Sequence, residues 1–160
     1  MRMRVSVLAL LAMAGLGGAL SAQDVTSLLG AGRYDEAVEL LANVAPETAH
    51  VGAEMLYERA HAIDFVNGDY ESAMRGFVAG KRIPHMSERQ RQRFEFWHGA
   101  TLAAIVRRDL EADLEPEEAI AMLEEAYVLL VSAREYAGGI NQVSMANNVV
   151  RLIDELSARR

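Results

Sequence analysis

Apolar side chains recur along most of the chain at spacings of three and four, the period of a helix with one buried face. Val38, Leu40, Leu41 and Val44 follow this rhythm after Tyr34-Asp35-Glu36-Ala37, and Ala45-Pro46 closes the segment. Val51, Met55, Leu56, Ala60 and Ile63 define the buried face of a second helix from about Glu47 to Val66. Asn67-Gly68 ends it, because glycine takes the positive φ of a helix C-terminus without strain. Asp69 then caps a third helix with Tyr70, Ala73, Met74 and Phe77 inward. Gly80 to Pro84 is a break. Ser87-Glu88-Arg89-Gln90 has the form of a capping box, and a long helix follows to about Arg108, with Phe94, Trp97, Thr101, Ala104 and Ile105 near one stripe. Pro116 suits the first turn of a helix that carries Ala119, Met122, Leu123, Ala126, Tyr127 and Leu130 and stops at Gly138-Gly139. The last helix, from about Asn141, carries Val143, Ala146, Val149, Val150, Ile153 and Leu156. No segment alternates in the period of two that marks a strand.

Within this pattern Gly32-x-Tyr34-x-x-Ala37 recurs as Gly68-x-Tyr70-x-x-Ala73, 36 residues later. Each copy has an apolar residue four positions after the alanine, Leu41 and Phe77, and then a proline, Pro46 and Pro84. A self-similar unit of this size marks stacked helical hairpins, each with an apolar face that only a neighbour can bury. On these residues the chain resembles the tetratricopeptide repeat, a helix-turn-helix unit. The likeness covers two units over about residues 24–84. A third unit runs from Ser87 to about Leu130 on Glu118-Ala119, Leu123 and Ala126, without a glycine turn. In the second unit, placing Leu56 and Ala60 at the packing positions requires one extra residue before Gly68. The resemblance implies an all-α fold: a short right-handed α-solenoid of about three repeats, closed by a terminal capping helix.

The first 22 residues stand apart. Arg2 and Arg4 precede an apolar run from Val5 to Leu16, and small residues end at Ser21-Ala22. This is the plan of a secretory signal peptide, cleaved after Ser21 or Ala22. It implies a periplasmic or secreted protein whose domain spans residues 23–160. The apolar run is shorter than the ~20 residues of a spanning helix, and no later segment of the sequence reaches that length. The chain of 160 residues contains no cysteine, which excludes disulfides, thiolate zinc sites and cysteine nucleophiles.

The net charge of −7 averages unlike segments. Residues 23–74 sum to −8, residues 75–108 to +6, and residues 109–125 to −8. An acidic, exported chain whose basic run has no interleaved aromatics until Phe94, Phe96 and Trp97, which read as core, does not suit nucleic acid. The basic run offers Arg89, Arg91 and Arg93 to an acidic partner; pairing with the acidic hairpins beside it is the competing reading.

The four histidines are His50, His61, His85 and His98. His50, Glu54 and His61 share a helix face, but His50 and His61 are three turns apart, roughly 16 Å, and cannot hold one ion. No phosphate loop, nucleophile elbow or paired catalytic carboxylates occur. The sequence therefore assigns no catalytic residue, metal or cofactor. In tetratricopeptide arrays the first helices of successive units line a groove for a partner peptide. Carried onto the second unit, that resemblance points to Glu54, Tyr57, His61 and Asp64, with an ordinary solvated face as the competing reading. The expectation is a protein-protein interaction adaptor or scaffold that binds a peptide or helical partner. A binding protein for a small or anionic envelope ligand, lipid or glycan, is the alternative. Association with further copies of the chain is compatible with both.

Overall fold

The computed structural model describes residues 22–110, 114–133, 136 and 140–158, and among them every regular element is helical. The elements are α1 (Ala22–Gly30), α2 (Tyr34–Leu41), α3 (Pro46–Glu58) continued by a π-helical turn (Arg59–Phe65), α4 (Tyr70–Gly80), α5 (Glu88–Asp109), α6 (Pro116–Ser132) and α7 (Ile140–Ser157). The segment read as a signal peptide lies outside the described residues, apart from Ala22 at the start of α1, and so does the Gly138-Gly139 stop.

The punctuation expected from sequence is present. Gly32 and Gly68 turn the two hairpins with φ of 69° and 80°, the left-handed region that favours glycine. The Asp69 carboxylate accepts from the Ser72 amide at 3.0 Å, and Ser87 and Gln90 form a reciprocal capping box at the start of α5. Pro46 and Pro116 sit in the first turns of α3 and α6.

Helices pack mainly on their neighbours in sequence: α1 on α2 and α3, α2 on α3 and α4, α3 on α4, α4 on α5, α5 on α6, and α6 on α7. Buried side chains fall into two cores. One gathers residues from Val25 to Phe94 and the other residues from Phe96 to Leu156, with Trp97 packed against both. Because α5 has a core on each side, its burial spreads round the helix. Phe94, Phe96, Ala100, Thr101, Leu102, Ala103 and Val106 are all buried, rather than one stripe. Ala104 and Ile105 are half-buried.

Four positions depart from the expected faces, among them Tyr127, 40% exposed on α6. Ile63 is 46% exposed, and Val143 and Val150 are 55% and 39% exposed on α7. The Ile63 departure has a clear cause. In an α-helix a step of four residues overshoots a face by about 40°. The π turn, whose rings take in one more residue, absorbs that overshoot. Its signature is the i→i−5 bond from the Val66 amide to the His61 carbonyl at 3.1 Å. Leu56, Ala60 and Asp64 therefore all face inward, and Ile63 turns out.

Helices α5 and α6 are held close by Gly99. A Cβ there would lie 2.9 Å from the Ala126 carbonyl oxygen and 3.1 Å from both Leu129 and Leu130. Backbone cannot retreat as a side-chain tip can. Overpacking of this kind costs about 1–3 kcal/mol, against about 1 kcal/mol of helix propensity gained by alanine. Gly99→Ala is expected to lower stability by up to about 2 kcal/mol in urea unfolding. A gain would show that the two helices separate freely.

Candidate functional site

The turns that start α3 and α5 run these helices side by side in the same direction. The His50 carbonyl on α3 accepts from Gln90 near the start of α5, while Phe65 at the end of the π turn meets Trp97 further along. Between them lies a cavity of about 470 Å³ lined by His50, Glu54 and Tyr57 from α3 and by Ser87, Arg89, Gln90 and Arg93 at the start of α5. Tyr136, beyond α6, completes the wall.

Arg93 is the central cation. Its guanidinium carbon stands 3.9 Å from the centre of the Tyr57 ring, a cation–π contact, and its side chain is only 15% exposed. Nη2 approaches Glu54 Oε1 at 2.7 Å, but off the line of its N–H, so neither Nη2 nor Nε makes a hydrogen bond. The attraction between Arg93 and Glu54 is thus Coulombic and not a bidentate fork. Gln90 holds the same Glu54 oxygen from its amide nitrogen at 2.8 Å, while its own amide oxygen accepts from the Ser87 backbone at 3.1 Å. One side chain therefore caps α5 and fixes the carboxylate.

Behind the cavity an aromatic ladder climbs α3 and the π turn at steps of four. The Tyr57 and His61 rings stack at 5.3 Å, and those of His61 and Phe65 at 6.0 Å. Trp97 meets His61 at 4.0 Å between ring centres and donates from Nε1 to the Tyr136 hydroxyl at 3.2 Å. Burial pushes the Tyr57 phenol well above the usual tyrosine range, and the neighbouring Tyr136 hydroxyl adds to this. Burial also lowers the His61 imidazole, with Glu58 opposing and Arg93 assisting. Both groups are therefore uncharged at neutral pH.

Of the residues singled out from sequence, Glu54, Tyr57, Arg89 and Arg93 converge on this one cavity. His61 belongs to the ladder behind it. Arg91 points elsewhere, exposed and 3.5 Å from Glu88. Asp64 does not face the groove at all. It is 3% exposed and accepts from the Tyr34 hydroxyl, from Ser72 Oγ at 2.8 Å and from Arg59 Nη2 at 2.9 Å. The register shift at the π turn carries it inward, where it ties the tyrosine of the first glycine turn to the second hairpin.

Gln90 and Tyr136 were not anticipated as site residues. The Gln90 signal was present in the capping box, one turn before Arg93. Part of the basic run does pair with the acidic hairpins: Arg82 with Asp35, Arg93 with Glu54, and Arg108 with Glu71 at 3.1 Å. Among the described residues no cluster of three histidine, aspartate or glutamate side chains converges as a metal site, and no helix is long and apolar enough to cross a membrane. No protein-family model, curated protein or solved structure matches the chain.

Proposed function

We propose that the protein is an exported, tetratricopeptide-like interaction module that captures an acidic peptide or helix in the groove between α3 and α5. In this reading α1 to α6 are three hairpins of a right-handed solenoid and α7 is its capping helix. Residues 1–22 are the cleaved address. The paired glycine turns and the neighbour-on-neighbour packing support the architecture.

The observation that carries the function is the state of Arg93. Nε and Nη2 are the two parallel donors that a carboxylate accepts together, and neither has a hydrogen bond. Such groups are exceptions in folded proteins, where buried donors are normally satisfied. Arg89 adds a second cation to the same cavity, and Tyr57 supplies a rigid aromatic wall. A carboxylate side chain of a partner pairs with Arg89 in the cavity and reaches the solvent-sealed Nε and Nη2 of Arg93 by displacing Glu54, with neighbouring residues of the partner lying along the polar faces of the two helices.

The test places a photo-crosslinking amino acid at Arg89 and, as a control, at exposed Glu39 on α2 in the exported full chain. A protein adduct specific to position 89, lost in the Arg93→Glu background, is the expected result. In binding assays on the recovered partner, Arg93→Glu should weaken affinity about tenfold or more, or 1.4 kcal/mol. Identical adducts from both positions, or affinity unchanged by Arg93→Glu, would sink the reading. The two arginines also suit a small anionic ligand. Native mass spectrometry showing a bound small molecule, with no adduct at position 89, would select that reading.

A further inference from the structure

The two cores meet along α5 between Phe94 and Phe96, and one buried imidazole joins three successive helices at this seam. His98 is 6% exposed. Its Nδ1 lies 3.0 Å from Lys81 Nζ at the end of α4, and its Nε2 lies 3.9 Å from Glu125 Oε1 on α6. An ammonium has only hydrogens to give, so Nδ1 must accept, and the single proton of the neutral ring sits on Nε2, on the Glu125 side. The arrangement works only while the ring is neutral. A second proton on Nδ1 removes the acceptor and sets two cations against each other within hydrogen-bonding distance. The same proton strengthens the attraction to Glu125.

We propose that Lys81, His98 and Glu125 form an acid-operated hinge: protonation of His98 releases the end of α4 while α5 and α6 stay together. The two cores then move relative to each other about the segment from Lys81 to Ser87. That segment leads directly into Ser87, Arg89, Gln90 and Arg93, so the hinge sits at the base of the cavity wall.

Other groups at the seam act alongside it. Trp97 packs on Phe77, Phe65 and His61, and Arg108 holds Glu71. Of the titratable side chains near His98, Lys81 comes from the end of α4 and Glu125 from α6. Glu95, one turn back on α5, accepts from Ser132 Oγ at 3.2 Å. His61 and Glu71 also change charge in acid, and the variants below separate them from His98.

The absence of cysteine makes spin labelling direct. Glu39→Cys on α2 and Asn147→Cys on α7, both exposed, report the distance between the halves by pulsed electron resonance. The full chain should give one distance population at pH 7.5 and a second one growing in towards pH 4. His98→Asn keeps an acceptor near the Nδ1 position but does not titrate, and should stay with one population throughout. Lys81→Met should lose the pH dependence, with the same populations at pH 7.5 and pH 4, while the His98 ring titrates at higher pH by imidazole NMR because the neighbouring cation is gone. A single population in the unsubstituted chain down to pH 4 would overturn the hinge. So would an acid response retained in Lys81→Met, which tests the proposal even if His98→Asn fails to fold.

Discussion

Asp64→Ala will lower the stability of the chain by about 3 kcal/mol, the lower end of the range for removing one partner of a buried ion pair. For a domain of this length that corresponds to a fall in Tm of roughly 10 °C. The substitution leaves the Tyr34 hydroxyl, Ser72 Oγ and the Arg59 guanidinium without the carboxylate they share. Arg59 retains some access to water, its side chain being 25% exposed, which keeps the loss at the lower end. Asp64→Asn preserves an acceptor and should fall between. Ile63→Ser, one residue away at a 46% exposed position, should change stability by only about 0.5 kcal/mol. Differential scanning calorimetry of the three variants decides the register. A regular α-helix through this segment would reverse the order, making Ile63 the costly position and Asp64 the tolerant one.

That reversal marks where sequence reasoning stops. Helix boundaries were legible because local chemistry writes them: a carboxylate at Asp69, a hydroxyl and an amide at Ser87 and Gln90, a ring at Pro116, glycines at 32 and 68. Faces were legible at most positions where the period held, Tyr127, Val143 and Val150 being the exposed exceptions. Leu41, Leu56, Phe77, Leu123 and Leu130 are all fully buried, as their spacing requires. The π turn breaks the period without breaking the helix. It has no proline or glycine to announce it, and its trace in the sequence was the one surplus residue before Gly68. Reading that surplus as a wider turn would have moved Asp64 inward and Ile63 outward.

The cavity was legible in two halves and not as a whole. Glu54 and Tyr57 came from one helical stripe, and Arg89 and Arg93 from the charge of another segment. Helical periodicity says which residues share a face, but not which faces meet, because that depends on how two hairpins stack. Once α3 and α5 lie parallel, Glu54 and Tyr57 fall opposite Arg93. The competing reading of the basic run, that it pairs with acidic hairpins, then holds for Arg82, Arg93 and Arg108. Arg89 lines the cavity without such a pair. The segment charge of +6 is therefore a poor measure of the cation available to a partner.

Acid will destabilise the protein well above the range in which carboxylates titrate, because His98 folds neutral. Burial first, and then the Lys81 ammonium, push its imidazole down to about 4 from an ordinary value of 6.5. The unfolded chain therefore binds more protons below pH 6.5, and stability must fall as pH falls. The contribution is intact above the unfolded value, is reduced by about 2 kcal/mol at pH 5, and approaches a loss of about 3 kcal/mol once pH passes below the folded value. Since total stabilities are about 5–15 kcal/mol, this is a large fraction from one ring. His61 acts in the same direction, being lowered by burial as well. Urea midpoints measured from pH 7 to 5 should shift steadily downward, with most of the slope absent in His98→Asn. That variant carries a constant penalty for the smaller side chain, which does not depend on pH and so leaves the slope interpretable. An equal slope in both chains would mean that the ring takes up its proton at the same pH folded and unfolded, so that neither burial nor Lys81 holds it neutral.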